Sequence, residues 1–166
     1  HTPHGLPPGR DQEPDLTSAH NLAVLARTII IEHPEVLKWS SLDKEPFRDG
    51  KFIMTNTNRL VKQFPGCDGL KTGYYRTAGF SVTATAKQND VRIITVVMGC
   101  EKGRSRFSQA SRLMKWGLMK FKVVELITTG TTLSNAIPVV NGEKLETIPV
   151  VTDSLSITVR KNRVED

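Results

Sequence analysis

The sequence predicts an α/β domain, built as an antiparallel sheet flanked by helices and followed by a small all-β domain. Three patterns lead there. Apolar residues recur at helical spacing over residues 17–33, they alternate over 79–98, and a second helical stripe over 104–121 gives way to a stretch with no helical period. The 166 residues, 38% hydrophobic and 24% charged, can bury a core without metal or disulfide staples, and they do not fit disordered, collagen-like or disulfide-dense classes.

Pro3, Pro7, Pro8 and Pro14, with Gly5 and Gly9, make the first fourteen residues an extended loop. Thr17 or Ser18 then caps a helix whose apolar positions Leu22, Leu25, Ala26, Ile29 and Ile30 lie on one face, to be buried, until His33 and Pro34 end it. Pro34 suits the first turn of a short second helix, 35–39. Residues 67–75, bounded by Pro65-Gly66 and Arg76-Thr77, fit a strand. Residues 79–86 alternate, Lys87-Gln88-Asn89-Asp90 turns the chain, and β-branched 91–98 returns as a hairpin beside that strand.

Phe107, Ala110, Met114, Gly117, Leu118 and Phe121 then mark a helix over 104–121. Strands follow at 121–126, 137–140, 147–151 and 155–159, with Asn141-Gly142 as a type I′ turn signal. The division is therefore 1–121 and 122–166. Four strands are few for a sandwich, so the second domain reads as the opening of a longer one.

Twenty-three Lys and Arg against seventeen Asp and Glu give a net charge of +6, which favours anionic neighbours. The basic clusters, 102–106 and 160–163, carry no interleaved aromatic residues, so nucleic acid is not indicated. No apolar run approaches the ~18 residues of a membrane span. The start lacks the regions of a secretory signal and an initiating Met, as in a mature or excised piece. His1, His4, His20 and His33 show no metal spacing, and neither metal nor cofactor is expected. Cys67 opens one strand and Cys100 closes a parallel-running one, roughly 20 Å away, so both should be free thiols.

Lys71-Thr72-Gly73 carries the chemistry. A lysine beside a nucleophile biases proton transfer and attracts a carboxylate, a threonine hydroxyl hydrogen-bonds that carboxylate, and a glycine lets substrate backbone lie against the strand. The wider context is Asn56-Thr57-Asn58-Arg59-Leu60, Gly66-Cys67-Asp68-Gly69-Leu70-Lys71-Thr72-Gly73-Tyr74, Ala78-Gly79-Phe80, Val97-Met98-Gly99 and Lys102-Gly103-Arg104. With Pro3-His4-Gly5-Leu6 and Thr17-Ser18-Ala19, it closely resembles the D-alanyl-D-alanine carboxypeptidases, low-molecular-mass penicillin-binding proteins that trim peptidoglycan stems. The resemblance covers residues 1 to about 121, and the tail is similar to the start of that family's second domain.

The resemblance implies a penicillin-recognising, β-lactamase/transpeptidase-like domain, here partial, and acyl transfer through a serine. Lys71 would assist that serine, Thr72 and Gly73 would hold the terminal carboxylate of D-Ala-D-Ala, and Tyr74 would offer its backbone N–H to the oxyanion. Arg104 would help recognise the carboxylate; antiparallel pairing puts the strand end near Met98-Gly99 at the same edge as Gly73-Tyr74. Implied partners are peptidoglycan stem peptides, β-lactam antibiotics and an N-terminal segment of the same protein, as a separate chain or a swapped copy. The implied location is the cell-wall side of the cytoplasmic membrane, with any peripheral membrane contact made by a region past Asp166.

Two departures stand out. Thr57 occupies a position where some members carry arginine, and the family's Ser-x-x-Lys and Ser-x-Asn lie upstream of His1. Ser41-Leu42-Asp43-Lys44 matches the first pattern only in letters, because Pro46 breaks the helix it needs. The chain alone should therefore be inert. A β-lactamase or related serine esterase, or a non-catalytic cell-wall scaffold, would share the same triplet.

Overall fold

The computed structural model describes residue 13 and residues 15–161. The proline-rich opening with His1, His4 and the Pro3-His4-Gly5-Leu6 match, and Asn162-Arg163 of the second basic cluster, lie outside the described residues. The chain divides between Met119 and Lys120 into two compact units.

In the first unit, α1 (Ala19–Glu32) begins where Ser18 Oγ accepts the Asn21 N–H at 3.1 Å. It stops two residues before Pro34, with the N–H of the capping His33 donated to Ile29 O at 2.8 Å. α2 (Val36–Ser40) follows the proline. Then comes a hairpin the sequence did not announce, β1 (Lys44–Phe47) against β2 (Phe52–Thr55), turned by Arg48, Asp49 and Gly50 at φ 51°, 56° and 80°. Pro46 argues against a strand, yet it pairs with Ile53 here. A two-stranded ribbon leaves each strand an unpaired edge, where a missing N–H costs nothing. α3 (Leu60–Gln63) is a single turn.

The sheet consists of β3 (Cys67–Tyr75), β4 (Gly79–Gln88) and β5 (Val91–Cys100), antiparallel and in that spatial order. The β4–β5 turn is tighter than the four residues expected. Asn89 and Asp90 alone make it, at φ 46° and 65°, the left-handed pair that a two-residue hairpin demands. β3 and β5 are both edge strands. α1 lies against β5, and Ala26 is buried, but Leu25 remains 53% exposed; the helix's apolar stripe is wider than the strip that covers it.

Val82, Ala84, Ala86 and Val97 form one core with Leu60 of α3, with Phe64 at its C-cap, and with Phe107, Ala110 and Met114 of α4 (Gly103–Lys120). The approach of α4 is close. A Cβ on Gly117 would stand 2.9 Å from Ile93 Cδ1, so glycine is required there by packing. On β3, Asp68 grips Arg92 through two 2.8 Å hydrogen bonds, Arg92 also donates to Thr85 Oγ1, and Ser40 Oγ donates to Asp68 O.

In the second unit, β6 (Phe121–Ile127) pairs with β9 (Leu155–Arg160), and β7 (Ile137–Pro138) pairs with β8 (Glu146–Thr147). The type I′ turn expected at Asn141-Gly142 does not form. Asn141 takes φ 61° but Gly142 has no positive φ, and the Val139 N–H reaches across to Leu145 O at 2.9 Å to close a wider loop. None of this unit's described residues is fully buried, as expected of two-stranded ribbons.

Candidate active site

Lys71, Thr72, Gly73 and Tyr74 sit consecutively on β3, which among the described residues pairs with β4 alone. Register sets their faces. Thr72 pairs with Val82 and Tyr74 with Phe80, so both lie on the face that packs against α4, whereas Lys71 and Gly73 alternate to the other. Thr72 is 9% exposed, and its Oγ1 lies 2.7 Å from Thr57 Oγ1. Lys71 is exposed and folds its ammonium onto Thr72 O. Tyr74 is 60% exposed and stacks on Phe80, with centroids 4.1 Å apart.

Gly73 is unlike the packing glycines. A Cβ at Gly73 would meet nothing within 4 Å, and its φ is not positive. Neither the backbone nor the packing of these residues requires glycine at that position.

Arg104 does not join this edge. It is exposed and makes no hydrogen bond or ion pair among the described residues. The phase of α4 explains why. Gly103, Phe107, Ala110, Met114 and Gly117 face the sheet, and a Cβ on Gly103 would stand 3.3 Å from the Phe80 ring; from the middle of that stripe Arg106 is turned about 60° and Arg104 about 100°, to opposite sides. Arg106 Nη1 donates to Gly73 O at 2.9 Å and to Ser81 O at 3.2 Å, and its guanidinium lies over Phe80 and Phe107 at 5.3 and 4.6 Å. Its buried Nε has no hydrogen-bond partner among the described residues. Burial lowers the Arg106 pKa from the usual guanidinium range, with Cys100 opposing the shift and Arg59 adding to it. The signal was present in the stripe, since Arg106 stands four residues before buried Ala110.

The segment before α3 is also fixed by side chains. Asn56 Nδ2 donates to Ser40 O and Leu42 O at 2.9 and 2.8 Å, and its Oδ1 accepts the Asn58 N–H at 2.9 Å. Asn58, 2% exposed, donates to Gly69 O at 2.8 Å and accepts the Leu60 N–H. Thr57, between the two, is thereby held against β3.

Ser41 caps the end of α2, its hydroxyl donating to Lys38 O, and Lys44 opens β1; the two share no helix. Cys67 and Cys100 are both free and buried, and burial pushes the Cys67 thiol pKa up, against a lowering hydrogen bond to Gly69. Two concavities, one at Trp39, Leu42, Asp43 and Met54 and one at Met98, Cys100, Lys102 and Ser105, exclude the Lys71–Tyr74 edge. Among the described residues that edge of β3 is unpaired, an open ledge with β4 along its other side and Thr57 against Thr72.

Comparison with known proteins gives the ledge a family. The family model described as D-alanyl-D-alanine carboxypeptidase matches residues 1–102. The chain is 28% identical over 158 residues to the D-alanyl-D-alanine carboxypeptidase DacF of Bacillus subtilis, covering 93% of this chain and 40% of DacF. It is similar, with a TM-score of 0.78 and 27% identity, to a peptidoglycan synthesis regulatory factor (PBP3) from Streptococcus pneumoniae, covering 96% of this chain and 46% of that one. A third match is the cefotaxime-bound penicillin-binding protein D2 of Listeria monocytogenes, with a TM-score of 0.64, 31% identity, and coverage of 69% and 45%. The chain thus spans less than half the length of each, and its α/β unit has the penicillin-recognising fold. It belongs to the D-alanyl-D-alanine carboxypeptidase family.

Proposed function

We propose that the chain carries the substrate-holding strand of a serine-type D-Ala-D-Ala carboxypeptidase. The observation that carries this is the bare stretch at Gly73 on an unpaired edge, between Thr72 and the exposed Tyr74, with a lysine one residue further back. An extended peptide ending in D-Ala-D-Ala lies along β3 as an added strand, its backbone passing over Gly73, where a side chain would stand in its way.

The Thr72 hydroxyl takes the terminal carboxylate beside Gly73, and the ammonium of Lys71 and the guanidinium of Arg106, bonded to Gly73 O, add positive potential there. The Tyr74 backbone N–H donates to the oxygen of the scissile carbonyl. Its value lies in the tetrahedral intermediate, where charge develops, and is a few kcal/mol, as for a typical oxyanion donor. The attacking serine comes from polypeptide other than these residues. Its oxygen bonds the carbonyl carbon, the C–N bond breaks, the hydroxyl proton passes to the departing D-alanine, and water then hydrolyses the acyl-enzyme to free the stem and restore the serine. Lys71 favours the serine's deprotonation electrostatically.

The same geometry binds β-lactams, whose ring amide and carboxylate present the same two groups, and the net +6 suits work beside anionic wall polymers outside the cytoplasm. The test is D-alanine release from diacetyl-L-lysyl-D-alanyl-D-alanine by the intact protein, run beside benzylpenicillin turnover. Steady release with slow penicillin turnover is expected. Penicillin hydrolysis outpacing D-alanine release would mean a β-lactamase, and neither activity would mean a scaffold.

A further inference from the structure

Thr57 lies outside the Lys-Thr-Gly strand, yet its hydroxyl is the partner of the Thr72 hydroxyl, at 2.7 Å. The contact is built. Asn56 is bound to Ser40 O and Leu42 O on one side, Asn58 to Gly69 O of β3 on the other, and the single residue between them is thereby aimed at the strand. Resting on the carboxypeptidase reading, we infer that Thr57 is a positioning residue that turns the Thr72 proton toward the substrate's terminal carboxylate.

A hydroxyl carries one donor and two acceptor sites, so in a pair of hydroxyls only one oxygen donates to the other. If Thr72 donated to Thr57, its only proton would be spent and its lone pairs would face the carboxylate, which is an acceptor as well. If Thr57 donates, one Thr72 lone pair is satisfied and the Thr72 proton is free for the carboxylate. An incoming carboxylate selects the second arrangement, and each hydrogen bond polarises the next. Thr57 is exposed, so its own lone pairs keep water as a partner while its proton is committed inward. Removing the Thr57 hydroxyl leaves the hydroxyl of Thr72, a residue only 9% exposed, with an unsatisfied lone pair and an unfixed rotor.

The experiment compares two N-acyl-D-alanyl thioesters on the intact protein, one whose leaving group ends in a carboxylate and its methyl ester. They undergo the same chemistry and differ only in the group Thr72 would hold. In Thr57→Val, kcat/KM for the carboxylate probe should fall about five- to tenfold, chiefly through KM, from the loss of one hydrogen bond in a short chain. The methyl ester should change by less than about twofold, and Thr57→Ser should restore the carboxylate probe. An equal fall for both probes, or no fall, overturns the role of Thr57. A wild-type protein with no preference for the carboxylate probe overturns the carboxypeptidase reading itself, and the proposal with it. If Thr57→Val does not fold, Thr57→Ala carries the same comparison.

Discussion

Replacing Gly73 with alanine separates what the fold needs from what the ledge is for. The added methyl would meet nothing within 4 Å and the residue's φ is not positive, so the folded state has no objection to it. Alanine narrows the unfolded ensemble, and stability should hold or rise by about 0.4–1 kcal/mol. The methyl nevertheless stands where a substrate backbone would lie. A displacement of ~1 Å at a reacting centre costs on the order of 100-fold, and penicillin acylation should fall by about that factor.

Gly69→Ala, four residues earlier on β3, is the control with the opposite signature. Its Cβ would stand 2.5 Å from Ser40 Oγ and 3.6 Å from Thr85 Cγ2, and Ser40 cannot simply turn away because its hydroxyl is bonded to Asp68 O. Overpacking there should cost about 1–3 kcal/mol. Urea unfolding and fluorescent-penicillin acylation of both variants in the intact protein decide the matter. A Gly73→Ala protein as destabilised as Gly69→Ala, or one that acylates at the wild-type rate, would show that the glycine serves neither an open ledge nor a substrate.

Arg106→Ala should lower stability by about 2–4 kcal/mol, since it removes two bonds from a charged donor and the stacking on Phe80 and Phe107, while Arg104→Ala stays within about 0.5 kcal/mol; paired melts check the contrast. Asp68→Asn weakens the two-pronged grip on Arg92, and with both side chains 24% exposed the loss should be about 1–3 kcal/mol, read from urea midpoints at unchanged slope. Cys67 gives a pH signature. Its folded pKa lies above the ordinary 9.0, so its contribution is whole below that pH and is lost as the pH rises through the folded value, where the unfolded thiol has already ionised. Cys67→Ala should flatten that alkaline decline, and the thiol should label slowly until the protein unfolds.

Much of the first unit was legible because its signals are local. The Ser18 cap, the Pro34 stop and the alternation that pairs β4 with β5 all follow from neighbouring residues, and the Lys71–Tyr74 edge needed only the order of strands. The parts that were not legible depend on partners distant in sequence. Asn56 and Asn58 stood in a segment that carries the family resemblance, but what they bind, Ser40, Leu42 and Gly69, could not be read from their neighbours, and the Thr57–Thr72 pair spans fifteen positions. Which basic residue of the 102–106 cluster turns toward the sheet was not legible, because charge has no phase; it follows from the whole buried stripe of α4, Gly103, Phe107, Ala110, Met114 and Gly117. The β1–β2 hairpin was hidden by Pro46, whose cost disappears in a two-stranded ribbon.

The measurement that bears most directly on the account is the site of the penicilloyl adduct: labelling the intact protein with benzylpenicillin, digesting it and mapping the modified residue by mass. The adduct is expected on a serine outside these 166 residues, and it should disappear in a Lys71→Ala protein that still folds. An adduct on Ser41, or on any other hydroxyl of this chain, would contradict the claim that the Lys71–Tyr74 edge holds a substrate for a nucleophile supplied from elsewhere.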